Sequence, residues 1–303
     1  MHPLKLERFL TQPRTTTNSV IKAPQGQSIC FIIDQSRQPR TLERLYGLGQ
    51  PLEQDSLFRG TEFESLNDLG PIWLSAPESP ELSQLAADLC LERNAGICVL
   101  TEDLQQAKEH ARWLLKANDS SGGQSLLSYY RPSLWTAMAL TSESQLRQLM
   151  GPWLSVFSPA PKHFGAGPSQ WMGWCSERGV LAAERPTSFT LPEGGATTQR
   201  DIGWIYWVDE HHESFGEPSE EELDVIISNL AFLAEHRITQ GRHLLRLGHL
   251  LSRAPLDVQP EVLKILAANE APFVKVKKLE TLPADSMIGA ATGKEEWSHH
   301  GTW

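Results

Sequence analysis

The chain has 303 residues, enough for two compact domains, and its 40% hydrophobic and 21% charged content is that of an ordinary globular protein. A formal net charge of −10 with no block of five like charges repels phosphate backbones and argues against generic nucleic-acid binding. No apolar run reaches the roughly 18–20 residues of a membrane span. The segment Met1–Leu10 is broken by Lys5, Glu7 and Arg8 and has no signal-peptide core, so the expected compartment is the cytoplasm.

Residues 1–28 read as a polar extension, with Thr15-Thr16-Thr17-Asn18 and Pro24-Gln25-Gly26-Gln27-Ser28 as linker. Ile29 to Ile33 is a short apolar run ending at Asp34, as expected of a strand buried on both faces. Arg40 to Leu48 predicts a helix with Leu42, Leu45 and Tyr46 on one face. Pro71-Ile72-Trp73-Leu74 is a second strand. Ser79-Pro80 then opens a helix lined by Leu82, Leu85, Ala86 and Leu89. Gly96 to Leu100 is a third strand, and Thr101 is the expected cap of the helix carrying Leu104, Ala107, Ala111 and Leu115. Leu126 to Tyr130 reads as a further buried strand, with Pro132 starting a helix that carries Leu134, Trp135 and Met138. Alternating strands and helices with short connections predict an α/β layer domain over 29–157 with a mixed or parallel sheet.

Three prolines and two glycines between Ser158 and Ser169 predict a linker over 158–170. Beyond it, 171–285 reads as a smaller, mostly helical domain with some strands. The strands expected there are Trp171–Cys175 and Gly203–Val208, where alternation puts Trp204 and Tyr206 on one face, Ile205 and Trp207 on the other. Ser219 followed by Glu222 is a capping box for a helix with Leu223, Ile226, Ile227, Leu230 and Leu233 on its apolar face. Helices about 240–253 and 257–269 follow, and 286–303 reads as a loose tail.

Complete chemical signatures do not emerge. The four cysteines Cys30, Cys90, Cys98 and Cys175 contain no Cys-x-x-Cys, and free buried thiols suit them best. Asp209-Glu210-His211-His212-Glu213 offers zinc-type ligands, yet adjacent side chains diverge on either a helix or a strand, and His-Glu-x-x-His is lacking. A solvated polar turn is the expectation there, and Ser298-His299-His300 has the same weakness. Gly289 to Glu295 resembles a phosphate loop but is one residue short and carries Glu295 where Ser or Thr should bind magnesium. Gly165-Ala166-Gly167 lacks a third glycine. No Gly-x-Ser-x-Gly occurs, so no catalytic residue, metal or cofactor is expected. Arg242, Arg246, His249 and Arg253 fall on one helical stripe, either a solvated face or a docking surface for an acidic partner.

The ordered motifs Phe31-Ile32-Ile33-Asp34, Leu45-Tyr46, Leu57-Phe58-Arg59-Gly60-Thr61, Leu69 to Leu74, Gly96 to Leu100, Tyr129-Tyr130-Arg131-Pro132 and Met150-Gly151-Pro152 resemble a bacterial domain of unknown function. That domain is found in type VI secretion effector chaperones, and the resemblance covers about 29–155. It implies a non-enzymatic adaptor that holds one effector and helps load it onto the valine-glycine-repeat spike, with no nucleic acid or membrane as partner. Tyr129, Tyr130 and Arg131 join the basic stripe as candidate partner-binding residues. The family commonly has an aromatic pair followed by Asp-Pro. Here Arg131 takes the aspartate's place and cannot accept helix amide hydrogens, while Pro132 still suits a first turn. The rival readings are a metal-dependent or triad hydrolase built on the 209–213 cluster, and an interaction module unrelated to secretion.

Overall fold

The computed structural model describes residues 3–76, 79–118, 123–142, 145–164, 170–176, 187–191, 195–216 and 218–282. The predicted tail over 286–303, with Gly289–Glu295 and Ser298–His300, lies outside them, as does Gly165–Gly167. Two compact units divide the chain, 1–209 and 210–303.

The first unit opens with α1 (Pro3–Leu10), β1 (Arg14–Thr15) and α2 (Thr17–Val20). The expected polar extension is therefore structured. Phe9 and Val20 are fully buried, and β1 pairs antiparallel with a strand more than 150 residues away, a partner no local pattern reveals. Then come β2 (Ser28–Asp34), α3 (Thr41–Tyr46), β3 (Glu53–Ser56), a 3-10 turn (Glu64–Leu69), β4 (Pro71–Ser75), α4 (Pro80–Glu92) and β5 (Gly96–Thr101). The Ser79 hydroxyl accepts from Leu82 N–H, the cap its sequence predicts. Tyr46, expected on the apolar face of α3, is 57% exposed.

Asp103, not Thr101, caps α5 (Leu104–Trp113) by accepting from Gln106 N–H. Thr101 still belongs to β5, and its hydroxyl accepts from Asp103 N–H in the turn between them. The chain continues through β6 (Lys116–Asn118), β7 (Gln124–Leu126), α6 (Pro132–Thr141), α7 (Leu146–Met150), β8 (Trp153–Pro159), β9 (Trp171–Cys175), β10 (Phe189–Thr190) and α8 (Gly195–Glu210).

The main sheet runs β1-β9-β8-β5-β2-β4-β3, and every neighbouring pair in it is antiparallel. This overturns the expected mixed or parallel sheet. The reason lies in the β4–α4–β5 unit. Both strands run opposite to β2 and flank it, so a crossover of the kind that joins parallel strands straddles an inserted antiparallel neighbour. Apolar runs report burial on both faces, and both faces are covered here, but burial carries no information on strand direction. A second, three-stranded sheet runs β10-β6-β7, with β10 and β6 parallel.

One face of the main sheet packs Phe31, Ile33, Leu74, Cys98 and Leu100 against Leu45, Leu82, Ala86, Leu89 and Cys90 of α3 and α4. Elsewhere in the unit a cluster of buried aromatics gathers around Trp153. Its ring lies 4.7 Å from His110, 5.8 Å from Trp135 and 6.0 Å from Tyr129, centroid to centroid. Burial pushes the Cys30 thiol up to about 12 and raises those of Cys90 and Cys98, while Cys175 is exposed. Alkylation of the native protein is accordingly expected to label Cys175 alone, and all four thiols only in denaturant. Mass spectrometry of the labelled chain reads this directly, and labelling of Cys90 or Cys98 at the rate of Cys175 would contradict the packing.

The expected 158–170 linker instead joins two neighbouring strands, because Ser158 pairs with Met172 and Pro159 with Trp171. The division into units falls later, at 209/210. Gly203–Val208, expected as a strand, lies inside α8. Its buried residues Thr198, Asp201, Ile202, Ile205, Tyr206 and Asp209 recur at helical spacing, and Trp204 and Trp207 meet one turn apart at 5.7 Å.

The second unit is helical where described. It contains α9 (His212–Phe215), α10 (Glu220–Glu235), α11 (Gly241–Arg246), α12 (Gly248–Leu251), a 3-10 turn (Leu256–Val258), α13 (Pro260–Ala267) and α14 (Pro272–Glu280). The Ser219–Glu222 capping box is complete, with Glu222 N–H to Ser219 Oγ at 3.3 Å and Ser219 N–H to Glu222 Oε2 at 2.8 Å. Asn229 on α10 is buried. Its amide donates to the Leu251 and Ala254 carbonyls and its oxygen accepts from Leu256 N–H, which ties three elements together.

Candidate functional site

The tyrosine pair sits in a turn, not in a strand. β7 ends at Leu126, Leu127 N–H still reaches Leu115 C=O, and Arg131 N–H closes back on Ser128 C=O at 3.0 Å. Tyr129 is fully buried, and its hydroxyl donates to Ala111 C=O at 2.8 Å, fastening the turn to α5. Burial raises its phenol far above the ordinary range, and the Tyr130 phenol is raised for the same reason. Neither ring is open to a partner, so both leave the list of candidate contact residues and join the core.

Arg131 has a different role from the one its position suggested. Pro132 occupies the first turn of α6, and the Arg131 side chain makes no cap there. Its Nε donates instead to Asp34 Oδ2 at 2.9 Å. Asp34 closes β2 and is buried, with its Oδ1 accepting from Ser36 N–H at 2.9 Å and from the Ser36 hydroxyl at 2.6 Å. Arg131 thus neutralises a carboxylate removed from water, while its side chain as a whole stays 44% exposed. The two residues stand 97 positions apart, and sequence offered no signal for the pairing beyond an apolar run that ends in an acid.

The 209–213 cluster disperses. Asp209 is buried in the last turn of α8, where its Oδ1 accepts from His163 N–H at 2.8 Å and lies 3.0 Å from His163 Nδ1. That bond anchors the loop after β8 to α8, and Arg14 of β1 donates to Phe164 C=O in the same loop. Burial lowers the Arg14 pKa, opposed by the nearby Tyr206 and Asp209. The expected solvated turn is therefore wrong for Asp209, whereas Glu210 and Glu213 are exposed. Among the described residues no three His, Cys, Asp or Glu side chains are placed to hold a metal ion. Sequence reasoning missed His163, which is 46 residues from its partner and isolated in a Pro-rich stretch.

Arg242, Arg246, His249 and Arg253 are all exposed, but the single helix that would align them is broken. α11 stops at Arg246 and α12 begins at Gly248, where a Cβ would lie 3.0 Å from the Ser214 carbonyl oxygen. Arg246 forms an ion pair with Glu280 on α14, and Arg242 donates to Gln240 Oε1 at 3.1 Å. The stripe is thus one structural residue and three others spread over successive elements.

These features define an α+β unit built on an antiparallel sheet, followed by a helical unit. Residues 31–149, about two-fifths of the chain, match the family model described as a domain of unknown function, DUF4123. The match covers β2 through α7 and includes both Asp34 and Arg131. No curated protein and no solved structure matches the chain. Among the described residues no helix is long and apolar enough to cross a membrane.

Proposed function

We propose that this chain is a non-enzymatic adaptor that binds one effector protein of a bacterial type VI secretion system in the cytoplasm. It helps load that effector onto the valine-glycine-repeat spike, through protein surfaces and without a cofactor. The observation that carries this reading is the match of residues 31–149 to the DUF4123 family model, over the segment whose ordered motifs resemble effector chaperones. Several buried polar groups of the first unit have structural partners. Tyr129 is spent on a backbone carbonyl, Asp34 on Arg131 and Ser36, and Asp209 on His163. In this reading the matched domain is the common platform, and the region beyond it selects the cargo.

Co-expression with candidate effector and spike proteins from the same genome is the direct test. Tagged adaptor should retain both proteins, and its deletion should lower effector abundance and delivery while leaving the secretion machine assembled. Retention of neither partner, with effector level and delivery unchanged on deletion, would overturn the proposal.

A further inference from the structure

One edge of the main sheet carries more positive charge than its own carboxylate needs. Asp55 on β3 meets three cations. Arg112 Nη2 lies 2.9 Å from its Oδ2, Lys108 Nζ 3.5 Å from the same oxygen and Arg59 Nη1 3.2 Å from Oδ1. Because all three reach one carboxylate, they stand on one spot of the surface. A single cation neutralises a carboxylate, so two positive charges remain there. Other acids nearby are occupied. Glu62 pairs with Lys116, Glu64 accepts from Gly60 N–H, and Glu109 accepts from the Gln105 amide. Counting Glu53, exposed at the start of β3, the balance is still three cations against two carboxylates.

β3 is also the last strand in the sheet order, with β4 on one side and no described strand on the other. The ladder fixes which of its backbone groups face outward. Leu57 N–H donates to Pro71 C=O, so Asp55 with Trp73 and Glu53 with Ser75 are the hydrogen-bonded pairs. The N–H and C=O of Gln54 and Ser56 therefore point away from β4. Arg112 Nη2 donates to Ser56 C=O at 3.4 Å, which places its guanidinium at this outer rim. Gln54 turns to the opposite face of the sheet from Asp55, where its amide donates to the exposed Tyr46 hydroxyl of α3 at 3.4 Å. The open edge thus has cations on one side and an aromatic ring on the other.

We infer that β3 takes up an extended segment of a protein partner as an added strand. An Asp or Glu of that segment lies against Lys108, Arg112 and Arg59, and an apolar residue beside it lies on Tyr46. Side chains of a strand alternate between faces, so neighbouring residues of the segment meet the two different surfaces. Lys108 and Arg112 are only 24% and 27% exposed and already drawn to Asp55, so pairing costs them little side-chain entropy. Charges on an edge strand deter indiscriminate pairing, and here they repel a basic strand while admitting an acidic one. A second copy of this chain is a poorer occupant, because its own β3 would bring the same three cations against these. This inference rests on the adaptor reading and names the kind of segment such an adaptor would hold.

The test uses the full chain and a fluorescein-labelled peptide of about eight residues that alternates Val with Glu, a length that suits one strand. One control carries Lys in place of Glu, and a second carries Pro at two adjacent central positions. Fluorescence anisotropy should show binding of the acidic peptide alone, and bound peptide should slow hydrogen exchange at the Gln54 and Ser56 amides. Gln54→Pro removes an outward N–H that the β3–β4 ladder does not use, a place where an edge strand tolerates proline. It should keep the parent melting temperature and lower the affinity about tenfold or more, since main-chain hydrogen bonds carry such binding. Arg59→Gln/Lys108→Gln leaves Arg112 on Asp55 and should lower the affinity severalfold, with a weaker salt dependence.

Equal binding of the acidic and basic peptides, undiminished binding of the proline-bearing peptide, or undiminished binding by either variant would overturn the inference. So would self-association of the parent chain that Gln54→Pro abolishes. If effector and spike co-purify with Gln54→Pro as with the parent while the peptide fails, this edge is wrong and the adaptor reading stands. If the peptide binds as expected but no effector is retained, the strand site stands and the adaptor reading falls.

Discussion

Gly96→Ala is expected to leave little soluble, folded protein. Gly96 opens β5, and β5 lies between β2 and β8 in the middle of the main sheet. A Cβ at this position would stand 2.3 Å from the Ile32 carbonyl oxygen, 2.8 Å from Cys90 Sγ and 3.1 Å from Ile33 Cα. Two of those three atoms are backbone, so no rotamer change relieves the contact. Strand β2 cannot withdraw either, because it is paired from Ser28 to Ile33 on this side and to β4 on the other. Overpacking of a core usually costs about 1–3 kcal/mol, and a backbone clash inside a ladder belongs at or beyond the upper end. Against a typical total stability of roughly 5–15 kcal/mol, that is a large share. Urea denaturation checks it, with Gly203→Ala as control. Gly203 sits in α8 with open space at its Cβ position, and alanine there should be neutral or stabilise by about 0.5–1 kcal/mol. A Gly96→Ala protein as stable as its parent would mean that the register of β5 on β2 is wrong.

Arg131→Ala is the second large effect. Removing this side chain leaves Asp34 Oδ2 without its cation inside the fold, although Ser36 still serves Oδ1. Breaking a fully buried pair costs about 3–5 kcal/mol. Arg131 is 44% exposed, so solvent screens the interaction and the expected loss falls to about 1–3 kcal/mol. Arg131→Lys should recover only part of it, because a point charge does not reproduce the directed Nε–H bond. A double-mutant cycle with Asp34→Asn isolates the coupling, which should be about 1–2 kcal/mol. A coupling indistinguishable from zero would reduce the pair to a surface contact. Because Arg131 and Asp34 join the start of α6 to the end of β2, the loss should also speed hydrogen exchange at the first turn of α6.

The Arg131 result bears on what a motif can say. Tyr129-Tyr130-Arg131-Pro132 lies within the segment that matches the family model, yet its residues do three separate jobs. Tyr129 fills the aromatic cluster and bonds α5, Pro132 starts α6, and Arg131 neutralises an acid 97 residues away. Proximity along the chain grouped them as a possible site. Burial separates them, because a fully buried phenol cannot meet a partner whereas an arginine side chain at 44% exposure can.

Local chemistry was legible wherever the determinant lies within a few residues of what it determines. Ile29 to Ile33, Pro71 to Leu74, Gly96 to Leu100 and Trp171 to Cys175 form strands because their residues are apolar in short uninterrupted runs. Ser79 and Ser219 cap helices because their hydroxyls reach amide hydrogens three residues on. Pro132 begins a helix because its ring already holds a helical φ. Gly203–Val208 misled for an equally local reason. Five or six residues cannot distinguish a period of 2 from one of 3.6 when large apolar side chains occupy nearly every position.

Tertiary structure alone decided the rest. Strand direction, the insertion of β2 between β4 and β5, the addition of β1 to the sheet edge and the unit boundary at 209/210 depend on segments that meet after long separations in sequence. The pairs Asp34–Arg131 and Asp209–His163 belong to the same class. An apolar run states that a strand must leave water, and a charged side chain states that it must be compensated. Neither states by whom, because burial and neutralisation are satisfied by any suitable neighbour, and only the packed chain selects one.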